Sequence, residues 1–170
     1  GVSMKKFIVV LAAVFISTVF CFAKDPCEGY WISIDEKTEK VTAAWIISVE
    51  DGVLHGTITS SAGKPKDSLA KDAKGKTPED FPSKGNLWEM PLCGTYWIYN
   101  MKMDSEGKWS RGTIVNPQDG KKYKCKITYH KADGKKYKQD TLEMRGEIGA
   151  GIGRSQFWIA TDEATAYGDL

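Results

Sequence analysis

Between Trp109 and Tyr129 two runs of alternating apolar and polar residues flank Asn116-Pro117-Gln118-Asp119-Gly120. A period of two places successive side chains on opposite faces of a strand. The Pro and Asp-Gly between the runs supply turn geometry, so this stretch reads as a β-hairpin. The same rhythm recurs along the chain and predicts eight strands, at 30–35, 42–50, 53–60, 95–103, 108–116, 121–130, 139–148 and 152–160. Further hairpin signals fall at Asp51-Gly52, Glu106-Gly107 and Asp133-Gly134, and no long helical pattern competes. Strands joined by short turns remove their exposed edges most simply by closing on themselves. The expected fold is therefore all-β: an eight-stranded antiparallel up-and-down barrel with a long loop between strands 3 and 4.

Alternation also assigns the faces. Tyr123, Cys125, Ile127 and Tyr129 share one side of their strand, and Lys122, Lys124, Lys126 and His130 the other, so the first set is expected inside. By the same count Trp97, Tyr99, Met101 and Met103 point inward, as do Ala43, Trp45, Ile47 and Val49. The candidate ligand-binding interior is Trp45, Trp97, Tyr99, Met101, Tyr123, Ile127, Tyr129 and Met144. Adaptable Met and amphipathic aromatic rings suit a cavity for an apolar or amphipathic molecule. The same rings, at ~150–250 Å² each, would equally fill a small barrel as solid core. The region 61–86 is rich in Lys, Asp, Gly and Pro, and long loops of this kind act as lids, binding loops or mobile insertions.

Residues 4–23 have the layout of a signal peptide: Lys5-Lys6, an apolar run from Phe7 to Phe22, and the small Ala23 before charged residues. Cleavage there leaves a barrel domain at 24–160 and an acidic, flexible tail at 161–170. It would place the protein in the periplasm, outer envelope or medium. Losing Lys5 and Lys6 takes 24 basic residues to 22, against 22 acidic ones. A formally neutral chain lacks the positive excess that drives nucleic-acid binding. Three cysteines remain, Cys27, Cys93 and Cys125, with no zinc or redox spacing. An oxidising compartment permits one disulfide; Cys27 and Cys93, each just ahead of a strand, are the candidate pair, with connectivity left open.

No catalytic residue, metal or cofactor site stands out. Cys125 and His130 are an odd number of positions apart on one strand and so face opposite ways, which rules out a direct nucleophile–base pair. Glu143, Arg145 and Glu147 share a face and read as outward charges on a barrel wall. The basic stripe Lys121, Lys122, Lys124, Lys126, Lys131, Lys135, Lys136 and Lys138 could meet an anionic surface, or serve as solubilising edge lysines. Association with a membrane is not predicted.

Four segments carry a more specific signal: Gly107-Lys108-Trp109-Ser110-Arg111-Gly112-Thr113-Ile114, Asn116 to Tyr123, Arg145-Gly146-Glu147-Ile148-Gly149, and Gly153-Arg154-Ser155-Gln156-Phe157-Trp158. In this order and spacing, following Asp25-Pro26-Cys27-Glu28-Gly29-Tyr30-Trp31, the chain resembles the bacterial family called domain of unknown function 2147. Its members are exported and similar to lipocalin, or calycin, barrels. That resemblance implies that Gly29 and Trp31 close the narrow end of the barrel, with a late Arg packed over the indole. Many members carry that Arg just after the final Trp, where this chain has Ile159-Ala160, which leaves Arg154 as the substitute, placed either inside or on the outer wall. Two functions follow as expectations. One is a non-enzymatic carrier of a small apolar or amphipathic ligand. The other is a solid-cored envelope module that contacts another protein or the cell wall.

Overall fold

A computed structural model describes residues 23–149 and 151–170; the expected leader, apart from Ala23, lies outside them. Eight strands form, β1 (Gly29–Ile34), β2 (Val41–Glu50), β3 (Val53–Ser61), β4 (Tyr96–Ser105), β5 (Lys108–Val115), β6 (Lys122–His130), β7 (Thr141–Glu147) and β8 (Gly153–Thr161). Each pairs antiparallel with its sequence neighbour, and β1 pairs with β8, which closes the barrel. The fold is the one the alternation predicts. At the β2–β3 hairpin Asp51 and Gly52 both have positive φ, 50° and 75°, the geometry that matches strand twist and that Asp-Gly adopts at least cost.

Strand direction alternates, so the β2–β3 and β4–β5 turns, the 131–140 loop and the start of β1 gather at one end. The β1–β2, β5–β6 and β7–β8 turns and the long 62–95 connection gather at the other. The first end is shut by the segment before β1. Asp25 lies beneath the barrel, and its carboxylate accepts hydrogen bonds from the Cys27 and Gly107 backbone N–H groups and from the Trp109 indole. Trp31 donates its indole N–H to the Cys27 carbonyl, and Tyr129 meets it edge-on at 6.4 Å. The Trp31 floor is thus closed by Asp25, Cys27 and Tyr129. Arg154, the expected partner, starts β8 at the opposite end, paired with Gly146.

One expectation about faces fails on β4. Ile98, opposite Gly56 and Ile114, points inward, and so does Met101, opposite Leu54. Two inward residues three positions apart require an interruption, which Asn100 provides at φ 58°. Arg111, at φ 60°, makes the matching irregularity on β5 between inward Trp109 and Gly112. These bulges shift the alternation by one residue. Trp97 and Tyr99 consequently lie outside the lumen, yet neither is exposed. Phe81 of the long loop packs against both, at 5.9 and 5.5 Å, and the Tyr99 hydroxyl contacts Asp80.

The long loop is therefore a second layer over part of the wall, held by buried Ala70, Ala73, Phe81, Leu87, Met90 and Leu92. The β5–β6 turn buttresses it. A Cβ on Gly120, whose φ is 75°, would fall 2.4 Å from the Lys74 carbonyl oxygen, so the turn that marks the sequence also seats the loop. The stretch expected to be a flexible tail is docked as well. Asp162 caps a short helix α1 (Glu163–Ala166), and the Thr59 and Ser60 hydroxyls both donate to the Ala166 carbonyl. Ala166 is small enough to be fully buried there.

Candidate functional site

The interior divides into two halves. Toward the shut end Trp31, Ile47, Leu54, Ile98, Met101, Trp109, Cys125, Ile127 and Leu142 are all buried and pack as a solid plug. Gly56 and Gly112 make this density possible: a Cβ on either would lie within 3 Å of Ile98 and Ile47, or of Met101. Above the plug lies a cavity of about 740 Å³ that opens at the far end. Trp45 and Trp158 form its floor, stacked at 4.6 Å with their planes 23° apart. Such a pair adds about 0.5–1.5 kcal/mol beyond area burial.

The walls carry Ala43, Ile58, Leu92, Ile114, Tyr123 and Met144, and the rim includes Leu69, Ile148 and Ile152. The mouth is polar, with Asp35, Lys64, Lys71, Asp72 and Arg154 in its lining, whereas near the floor the polar groups are few and committed. The Trp45 indole donates to Ser33 Oγ at 3.1 Å, and Ser33 in turn donates to the Ala43 carbonyl. The Trp158 indole donates to Gln156 Oε1 at 3.2 Å. An apolar chamber with a small number of placed polar atoms is the usual form of a small-molecule site.

The candidate interior set is therefore split. Trp45, Tyr123 and Met144 line the cavity; Met101 and Ile127 belong to the plug, and Tyr129 packs against it; Trp97 and Tyr99 lie under the loop. Met103, also expected inside, is half exposed near the end of β4. Ser33, Ile58, Gln156 and Trp158 are cavity residues the set omits. On β8 the alternation of Arg154, Gln156 and Trp158 puts the three on one face, and the burial of Trp158 in the structure shows that face to be inward.

The cysteines do not pair: Cys27, Cys93 and Cys125 are all free thiols. Cys27 belongs to the shut end, whereas Cys93 bridges to Ile58, well up β3. Several residues of strand at ~3.3 Å each separate those levels. A disulfide needs Cα atoms within ~7 Å. Burial pushes both the Cys27 and Cys125 thiols up, and the Asp25 carboxylate adds to the effect at Cys27. Cys125 sits in the plug with its sulfur 3.1 Å from that of Met144.

On the outer wall Glu143 accepts from Ser155 Oγ at 2.7 Å and contacts His130 Nε2 at 3.0 Å. The carboxylate stands between hydroxyl and imidazole, so the imidazole does not touch the oxygen it would have to deprotonate in a nucleophilic triad. Arg145 and Lys126 both engage Glu147, and Lys122 and Lys121 face Asp80 and Asp119, which dilutes the basic stripe. His55 stacks on Tyr96 at 4.7 Å on the outside, and burial lowers its pKa. No group of metal-ligating side chains occurs among the described residues.

A closed eight-stranded barrel, shut at one end and hollow at the other, defines a lipocalin-like architecture. The chain belongs to the family described as an uncharacterized protein conserved in bacteria, domain of unknown function 2147, whose model matches residues 29–160. Among solved structures it is similar to protein HP1028 from Helicobacter pylori, described as belonging to the lipocalin family, with a TM-score of 0.60 and 13% identity. The match covers 82% of this chain and 85% of that one. At that identity the likeness speaks to fold alone. No curated protein matches the chain.

Proposed function

We propose that the protein is an exported, non-enzymatic carrier that takes a small apolar or amphipathic molecule into the hollow half of its barrel. The observation that supports this is the 740 Å³ chamber floored by the Trp45–Trp158 stack, in a barrel whose other half is solid. The plug shows that this sequence can fill a lumen. Leaving the upper half open costs dispersion contacts that a packed core would make, and occupancy by a ligand recovers them. The resemblance of residues 4–23 to a signal peptide supports a role outside the cytoplasm.

Titration with the neutral fluorophore N-phenyl-1-naphthylamine tests the reading. Saturable binding with quenching of tryptophan emission is expected, because the ligand would lie on two indoles. Trp158→Ala should weaken that binding about tenfold or more, the loss of ~1.4 kcal/mol or more of ring contact. Absence of saturable binding, or affinity unaffected by Trp158→Ala, would refute it.

A further inference from the structure

The carrier reading leaves open what kind of amphiphile fits, and one wall of the chamber carries that information. Along the inner face of β8, Trp158, Gln156 and Arg154 succeed one another from floor to mouth, opposite Leu142, Met144 and Gly146 of β7. Four residues of strand span about 13 Å. Over that distance the wall passes from indole to amide to guanidinium, a gradient from apolar to cationic. We propose that the chamber binds an amphiphile with a single carboxylate head, held at the mouth by Arg154 and Tyr123, with its apolar body directed down onto Trp158 and Trp45.

Three observations converge on the head position. First, Arg154 lines the cavity and makes no hydrogen bond or ion pair among the described residues, whereas Arg111 and Arg145, on the outer wall, both pair with carboxylates. An inward guanidinium without an acid leaves its fork of donors available, and that fork matches a carboxylate in geometry. Second, the residue beside it is Gly146, whose missing side chain lets the stem of Tyr123 lie over the strand next to Arg154. A Cβ there would stand 3.4 Å from the Tyr123 ring stem, and its φ does not demand glycine. Third, Tyr123, whose hydroxyl likewise has no hydrogen-bond partner among the described residues, lines the same cavity.

Charge balance at the mouth sets the valence. The lining includes Lys64, Lys71 and Arg154 against Asp35 and Asp72, a formal surplus of one positive charge. Asp35 is turned to its own loop, where it accepts from the Lys37 and Thr38 backbone N–H groups and from the Thr38 hydroxyl. One monoanionic head neutralises the surplus; a phosphate monoester would exceed it.

This proposal rests on the carrier reading, and the test separates the two. Dodecanoate, 1-dodecanol and dodecyl phosphate, each below its critical micelle concentration, are used at pH 8 to displace N-phenyl-1-naphthylamine from the full chain. Dodecanoate should bind about tenfold more tightly than dodecanol, the scale of a charge-assisted contact at a solvent-open site. Arg154→Gln should erase that preference, with an unchanged midpoint of urea unfolding followed by tryptophan emission as the control for folding. Gly146→Val, whose methyl groups would push the Tyr123 stem aside with the arginine intact, should also reduce the preference. Equal affinity for dodecanoate and dodecanol, a preference that survives Arg154→Gln, or a stronger preference for the phosphate would overturn the assignment and leave the carrier reading standing. Failure of the fluorophore itself to bind would remove both.

Discussion

Replacing Asp25 with Ala should unfasten the shut end of the barrel. Its carboxylate accepts three hydrogen bonds, at 2.9 Å from the Cys27 N–H, 3.1 Å from the Gly107 N–H and 3.1 Å from the Trp109 indole. Asp25 is 8% exposed, and Cys27 and Trp109 are 0% and 1% exposed, so water replaces the lost acceptor poorly. A buried donor left without an acceptor costs about 1–3 kcal/mol. Simple addition overstates the total because the segment can relax, and we expect a loss of about 3–5 kcal/mol. Against a typical domain stability of ~5–15 kcal/mol, that is a large fraction. Asp25→Asn keeps one acceptor oxygen but turns an amide N–H₂ toward a donor, and should cost about 1–3 kcal/mol. Urea unfolding followed by tryptophan emission measures both, with an unchanged m-value as the sign that stability alone has moved. If Asp25→Ala unfolds within 0.5 kcal/mol of the parent, the carboxylate does not hold the floor together.

Two further outcomes follow from the outer layers. Gly120→Ala forces a side chain into a position with φ 75° and sets its Cβ 2.4 Å from the Lys74 oxygen; a loss of about 2 kcal/mol is expected. Hydrogen exchange should quicken in 70–74 with little change in β7, and uniform protection would refute the buttress. Glu143 has a pKa held below its ordinary value of 4.5, first by the Ser155 hydroxyl and then by His130. A depressed folded pKa means that the unfolded chain binds the proton more readily. The stabilisation is therefore complete above about pH 4.5 and fades as pH falls through the lower, folded value. Glu143→Gln should flatten the acid limb of a stability–pH profile there, and an unaltered limb would count against the pairing.

The strand count, the closure and the inward phase of β2 and β6 were legible because alternation and turn residues report them directly, whereas the direction of the face shared by Arg154, Gln156 and Trp158 on β8 was left open. The phase of β4 was not. A bulge adds a residue without changing the apolar pattern on either side, so Trp97 and Tyr99 kept the look of lumen residues. The one trace is Asn100, a poor strand former that tolerates positive φ, directly after an aromatic run. The floor of the barrel was half legible: Trp31 stood out, but its closing partner came from Asp25, ahead of the first strand, where no periodicity operates. The disulfide expectation failed because nearness to a strand start says nothing of which end of the barrel that start occupies. The cavity itself could not be read, since Trp45 and Met101 look alike in sequence and differ only in their height along the axis.

Because the solid plug and the hollow chamber occupy different levels of one closed sheet, they answer to different demands. Residues such as Gly56, Gly112 and Trp109 tolerate little change, for each is wedged against its neighbours. Inward side chains high on β8, Gln156 and Arg154, border open space and can vary in size and charge without disturbing that wedge. A lineage built on this frame is free to alter its cargo while inheriting its foundation, and diversity among relatives should concentrate above the level of Trp45.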